Sequence, residues 1–377
     1  MVALRKESSV DGGWTSERVE CIPTEYYRLL VEDIARADKS IELVSYIFRY
    51  DEVGRAVVDA LAAAAKRGVK IRVIVDGVGS DVDAGKIAAF LSYAGVAVRI
   101  YHPLPWVWTH YRWSMFSGGI FTKLFHFLIR LNNRDHRKLC IVDRRWAWCG
   151  SFNLCADHLG LKVPWRDYAA QVSGQGVADL VASFDGDWLK QEQKKRKLSL
   201  RYVRVNNSLQ LRRVRNQLML KRIRQAKRRV WISSAYFAPS AGVLRSIKEA
   251  RSRGVDVKVT VAGRSDIFFF PILSATYYAD LISWGVEVYA YQRGILHAKV
   301  LLVDEHCILG SSNLNHRSFY HDLESDVVLT SPATIAAMEG YLEQDMADSK
   351  RETLAEHGRF YTTFIFGYLL RVVRYWV

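Results

Sequence analysis

The amino-acid sequence predicts an α/β protein of two tandem domains, each a sheet flanked by helices. Three observations carry that reading. Helical and strand-like periods alternate along the 377 residues. The alternation occurs twice, with matching elements in the same order. One phrase is also written once in each half: His136-Arg-Lys138-Leu-Cys-Ile-Val-Asp143 with Gly150-Ser151-Phe-Asn153, then His297-Ala-Lys299-Val-Leu-Leu-Val-Asp304 with Gly310-Ser311-Ser-Asn313.

The elements follow in sequence. After an N-terminal extension (1–20), the first domain (21–190) opens with a helical period over 26–37 and a strand over 40–46. Residues 57–67 read as a helix closed by Gly68, and the β-branched run after it as a strand. A further helix and strand run over 90–99. The second domain (216–350) answers with a helix at 218–226, a strand at 229–236, a helix at 244–253 closed by Gly254, a strand, and a helix and strand over 280–289. Two such domains can pack about a pseudo-twofold axis, bringing equivalent strand ends together. A basic linker (191–215) joins them: from Lys190 to Val230 there are sixteen Lys or Arg and one acid, Glu192. A tail (351–377) closes the chain.

A net charge of +15, from 54 basic and 39 acidic side chains, points to a polyanionic partner, either nucleic acid or an anionic membrane surface. Five cysteines, an odd number with no Cys-x-x-Cys pair, argue against a disulfide framework or a zinc site. They read as small core residues in a reducing compartment. The N-terminal residues carry no apolar signal region, and no apolar run approaches the roughly 20 residues of a membrane span. A membrane contact would therefore lie on the surface.

The repeated phrase defines a composite site for an anionic phosphodiester. Residues two apart on a strand share a face, so His136 projects with Lys138 and His297 with Lys299. Ser151 with Asn153, and Ser311 with Asn313, have the same spacing and are expected to bind the phosphate. Asp143 and Asp304 stand seven residues from their histidines, an odd spacing that turns them to the other face, so a structural role in the following turn is expected. Asp167 and Glu324, each opening a later strand-like run, are the candidate carboxylates that fix the histidine tautomers. No His, Cys and carboxylate set has metal-ligand spacing, and no metal or other cofactor is expected.

Both phrases match the signature of the phospholipase D superfamily. That resemblance implies two α/β/α sandwich domains related by pseudo-twofold symmetry, with one active site shared at their interface. It also implies double displacement at phosphorus, with His136 as nucleophile, forming a phosphohistidine, and His297 as acid and base. Lys138, Lys299, Asp167 and Glu324 complete the catalytic set. Over roughly residues 20–350 the chain is similar to bacterial cardiolipin synthases of the short form without N-terminal transmembrane helices. The similarity rests on Tyr46-Ile-Phe-Arg-Tyr, Trp165-Arg-Asp, Ala235-Tyr-Phe-Ala-Pro and Gly310-Ser-Ser-Asn-Leu-Asn-His-Arg-Ser. It implies transfer of a phosphatidyl group between two phosphatidylglycerols, releasing glycerol. A phospholipase D-type hydrolase and a nuclease of the same superfamily are the alternatives.

Two segments favour lipid over nucleic acid. The insertion 103–131, apolar and basic, has no counterpart of its length in the second half. Trp106, Trp108 and Trp113 lie in it, and Phe121, Phe125 and Leu128 form one stripe of an interfacial helix. The tail places Phe364 and Phe366 beside Arg371 and Arg374, a mixture suited to a headgroup boundary. Anionic phospholipids are the expected partners, no nucleic acid is expected, and the expected location is the cytoplasmic face of a bacterial inner membrane.

Overall fold

The computed structural model describes residues 13–103, 133–189 and 201–357. The insertion residues Trp106, Trp108, Trp113, Phe121, Phe125 and Leu128, and the tail residues Phe364, Phe366, Arg371 and Arg374, lie outside them.

The first domain contributes β1 (Trp14–Glu20), β2 (Ser40–Ser45), β3 (Lys70–Asp76), β4 (Ala97–Tyr101), β5 (Leu139–Val142), β6 (Trp146–Gly150), β7 (Trp165–Arg166) and β8 (Ala169–Gly174). The second contributes β9 (Val203–Val205), β10 (Arg229–Ser234), β11 (Asp256–Arg264), β12 (Glu287–Leu296), β13 (Lys299–Val303), β14 (His306–Gly310), β15 (Ser325–Leu329) and β16 (Ser349–Arg351). The first sheet runs β1-β8-β6-β5-β2-β3-β4, and the second β16-β12-β11-β10-β13-β14-β15-β9. The shared series β8-β6-β5-β2-β3-β4 and β15-β14-β13-β10-β11-β12 is the duplication predicted from sequence. In each series the last three strands are parallel, and the strand after the His-x-Lys phrase enters antiparallel.

Local chemistry explains the boundaries. Asp51, Ser208 and Ser240 cap the helices Glu52–Lys66, Leu209–Gln225 and Ala241–Ser252 through their side chains. Gly68 and Gly254 adopt φ of 92° and 84°, which lets the chain leave a helix and enter the next strand without a Cβ clash.

Both faces of each motif strand are buried, which is why these strands read as unbroken apolar runs. Leu139 and Ile141 meet Val300 and Leu302 in one core between the two sheets, shared with the helices Val177–Leu189 and Pro332–Ala347. Cys140 and Val142 turn to the first domain's own core, and Leu301 and Val303 to the second domain's. All five cysteines are buried and free.

Two boundaries drawn from sequence move. Residues 14–20, placed in an extension, form β1, which pairs with β8. Glu17 there accepts the N–H groups of Thr330 and Ser331, tying the strand to the second domain. Residues 203–205, placed in the linker, form β9, where Arg204 stands opposite Asp326 of β15. Its edge pairing and the buried arginine outweigh the basic composition that suggested a solvated connection.

Asp143 and Asp304 are turn residues with φ of 51° and 48°. Asp143 accepts the N–H groups of Asp38, Lys39 and Ser40, and Asp304 those of Lys227, Arg228 and Arg229. Burial pushes both carboxyls up, but three amide donors each outweigh it and hold them below the usual range. Asp143→Ala removes that acceptor and forces a left-handed φ on alanine. It is expected to cost about 2–4 kcal/mol, read as a lower urea midpoint at unchanged slope, while Asp143→Asn loses less.

Candidate active site

The strand order places the two His-x-Lys phrases at the seam between the domains, and short cross-domain pairings complete each half of the site with residues of the other. Asp135 bridges in parallel to Leu323, and the His136 N–H bonds the Leu323 carbonyl at 3.0 Å. β7 joins β12 in parallel, and the His297 N–H bonds the Arg166 carbonyl at 2.9 Å. Each pairing delivers the next residue, Glu324 or Asp167, to the opposite histidine. His136 Nδ1 meets Glu324 Oε2 at 3.2 Å, and His297 Nδ1 meets Asp167 Oδ1 at 2.7 Å. Each carboxylate thus serves the histidine of the other half.

With Nδ1 occupied as a donor to a carboxylate, Nε2 is the nitrogen left for chemistry on both rings. All four groups are buried. Tyr46 stacks edge-on to His136 with centroids 4.7 Å apart, and Trp165 lies 5.5 Å from His297. These rings limit side-chain motion and exclude water.

Each lysine folds back on its own histidine: Lys138 Nζ donates to the His136 carbonyl at 2.8 Å and Lys299 Nζ to the His297 carbonyl at 2.6 Å. Tyr46 and Tyr236 present ring faces to the two ammonium groups at 4.9 and 5.7 Å. Burial pushes Lys138 down to about 7, with the Lys299 ammonium adding to the effect, and burial pushes Lys299 down to about 8. Unfolded lysines titrate near 10.5. From about pH 7 to that value the unfolded chain holds more protons than the folded one. The contribution of these two lysines to stability therefore rises with pH through this window. An oxyanion beside the lysines restores the lost protons, so inorganic phosphate is expected to bind at pH 8 with net proton uptake. Calorimetry in buffers of different ionisation heat reads this, and Lys138→Met should reduce the uptake.

The carboxylates differ. Burial pushes Asp167 up, but the His297 and His158 rings outweigh it and hold it well below the usual range. Glu324 is pushed up to about 7 by burial despite the hydroxyls of Ser311 and Ser318. Both histidines have lowered proton affinity. Burial comes first in each case, followed by the neighbouring lysines at His136 and by Lys299 at His297.

Of the four residues expected to bind phosphate, the two serines spend their hydroxyls inside the protein, and Asn153 engages its amide nitrogen. Ser151 Oγ bonds the backbone of Tyr168, Ser311 Oγ donates to Glu324 and bonds the backbone of Ser325, and Asn153 Nδ2 donates to His158 at 3.1 Å. The cause lies in the preceding glycines. A Cβ at Gly150 or Gly310 would stand 2.5 or 2.3 Å from a carbonyl of the adjacent strand. This close approach presses each serine against the neighbouring segment that carries the carboxylate, where its hydroxyl bonds that segment. Among the described residues, Asn153 and Asn313 each keep a buried Oδ1 without a partner.

Sequence reasoning missed His158 and Asp345. His158 Nδ1 lies 2.7 Å from Asp167 Oδ2. It sits in Ala156–Leu159, a single 3-10 turn, five residues after Asn153, where the second half has Ser318 five residues after Asn313. Asp345, on a helix of the second domain, binds Arg166 Nε and the Tyr168 hydroxyl at 2.6 Å each, bracing both neighbours of Asp167. Among the described residues, His158, Asp167 and His297 are the group whose ligand atoms could gather on a metal ion. Both Nδ1 atoms stand at hydrogen-bond distance from the carboxylate, the arrangement of two donors on one acceptor.

Residues 30–188 and 219–346 match the family model described as cardiolipin synthase, PLD-like domain. Cardiolipin synthase B of Salmonella typhimurium is 32% identical over 323 residues, covering 81% of this chain and 74% of that protein. A cardiolipin synthase of Clostridium perfringens is 28% identical over 350 residues, covering 87% and 70%. Phosphatidylserine synthase of Haemophilus influenzae shares the fold, with a TM-score of 0.65 at 13% identity over 95% of each chain. Two sheets with a doubled His-x-Lys site at their seam define an enzyme of the phospholipase D superfamily. The chain belongs within it to the cardiolipin synthase, PLD-like domain family.

Proposed function

We propose that the protein is a phosphatidyltransferase that makes cardiolipin from two phosphatidylglycerols through a phosphohistidine. The observation that carries this is the pair of buried histidines, each with Nδ1 held by a carboxylate of the other domain and a lysine beside it. His136 Nε2 attacks phosphorus. The N–P bond forms, the P–O bond to glycerol breaks, and His297 gives its proton to the departing glycerol oxygen. The terminal hydroxyl of a second phosphatidylglycerol then gives its proton to His297. Its oxygen takes the phosphorus and the N–P bond breaks. Lys138 and Lys299 offset the charge that grows on the phosphoryl oxygens in both steps.

Anionic lipid as the substrate is supported by the net charge of +15 and by the names of the relatives. Among the described residues no helix is long and apolar enough to cross a membrane. Attachment to the cytoplasmic face of a bacterial inner membrane, through the insertion and tail residues named above, belongs to the same reading. Purified protein with phosphatidylglycerol vesicles is expected to yield cardiolipin and glycerol in equal amounts. Phosphatidic acid as the sole lipid product would mean a hydrolase, and degradation of single-stranded DNA without lipid turnover would mean a nuclease.

A further inference from the structure

The repeat makes the halves look equivalent, yet the two carboxylates are held by different chemistry. Glu324 receives hydroxyls from Ser311 and Ser318 besides the His136 ring. Asp167 receives a second imidazole. His158 is 1% exposed and Asp167 0%, so water does not compete for this contact. His158 Nδ1 faces a carboxylate oxygen, which accepts, so Nδ1 carries the proton, and Asn153 Nδ2 stands 3.1 Å from Nε2. Asp167 therefore accepts one N–H on each oxygen, both at 2.7 Å, from rings whose centroids lie 5.1 Å apart.

We infer that His158 is a positioning residue that occupies half of Asp167 and so keeps His297 able to release its proton. The inference rests on the acid and base role proposed for His297. A histidine alone with an aspartate in a dry site holds its proton tightly, because the whole carboxylate charge faces one ring. A second donor on the other oxygen stabilises the anion and divides its charge. It also fixes the carboxylate plane, and with it the direction of His297 Nε2. The other groups facing His297 are Lys299, Asp266 on the Tyr236 hydroxyl, and the neutral rings of Trp165 and Tyr236. Those facing His158 besides Asp167 are Asn153, Phe152 and Trp165. None of them supplies a second N–H to Asp167 Oδ2. The equivalent carboxylate, Glu324, receives the Ser318 hydroxyl on its other oxygen, so a second ring as the partner donor is found on the His297 side among the described residues.

The test is histidine-selective 15N NMR titration of the full chain, with the His297 signal assigned by His297→Gln, alongside the pH profile of kcat/KM on phosphatidylglycerol vesicles. His158→Ala is expected to raise the His297 midpoint by about one unit. The acid limb of kcat/KM should move up with it. His158→Asn sets an amide N–H where the imidazole Nδ1 stood and is expected to restore both. Should His158→Ala not fold, His158→Leu fills the ring volume without a donor and carries the same expectation. A folded donor-less variant with an unshifted His297 midpoint overturns the inference, as does a folded His158→Asn that titrates like it. If the midpoint moves as expected while the wild type makes no cardiolipin, the inference stands and the lipid reading fails.

Discussion

His136→Ala is expected to lower kcat/KM by about 10⁴-fold or more, and His297→Ala by a comparable factor. The reason is geometric. Each ring is held with one nitrogen committed to a carboxylate, and no described side chain offers a second imidazole on the His136 side. Without His136 there is no nitrogen to take the phosphoryl group, so acid quenching of a reaction with labelled phosphatidylglycerol should trap no phosphoprotein. Without His297 attack is still possible, but glycerol must leave as an alkoxide and the second alcohol must attack with its proton in place. Both displacements then slow. The double variant should be little worse than either single one, because the residues act as a unit. Either variant retaining more than about a tenth of the activity would refute the shared-site mechanism. Circular dichroism separates this from unfolding.

The carboxylates come second in expected effect, and they should not behave alike. Asp167→Asn sets an amide against His297 Nδ1 and reverses the tautomer, leaving Nε2 protonated and unable to act as a base. The expected loss is about 10³–10⁴-fold. Glu324, pushed up to about 7 by burial, shares its proton with the neutral range. The unfolded carboxyl releases its proton near 4.5. Between that value and about 7 the folded-state Glu324 therefore holds the extra proton, and its contribution to stability falls as pH rises through the window. Glu324→Gln is expected to remove that slope in urea midpoints measured from pH 4.5 to 7. It should also lower turnover by about 10–100-fold. A Glu324→Gln variant that keeps the wild-type dependence of stability on pH would show that the carboxyl is not the titrating group.

Much of this was legible in the residues themselves. The β-branched runs, the glycines at 68 and 254 and the doubled phrase are local signals, and the helices and strands they mark are present in both halves. Asp143 and Asp304 were separable from the chemistry by the parity of their spacing. Ser151 and Ser311 were expected to face the phosphate because their spacing matches a strand face, but spacing does not show that a glycine has let another strand close in and take up the hydroxyls. β1 and β9 were left out because edge strands of mixed polarity carry a weak pattern. His158 was missed because the matching position of the second half is Ser318, a different residue type.

By itself the sequence determined the covalent inventory: two histidines, two lysines and two carboxylates, on strands of known alternation, in a chain that folds the same way twice. Only the tertiary structure decided who meets whom. Asp167 and Glu324 cross to the opposite histidines because β7 pairs with β12 and Leu323 with Asp135, contacts between segments more than a hundred residues apart. Strand alternation is a property of neighbours along the chain. Pairing across a domain seam is set by the packing of two whole sheets on a common core, and no local period encodes it.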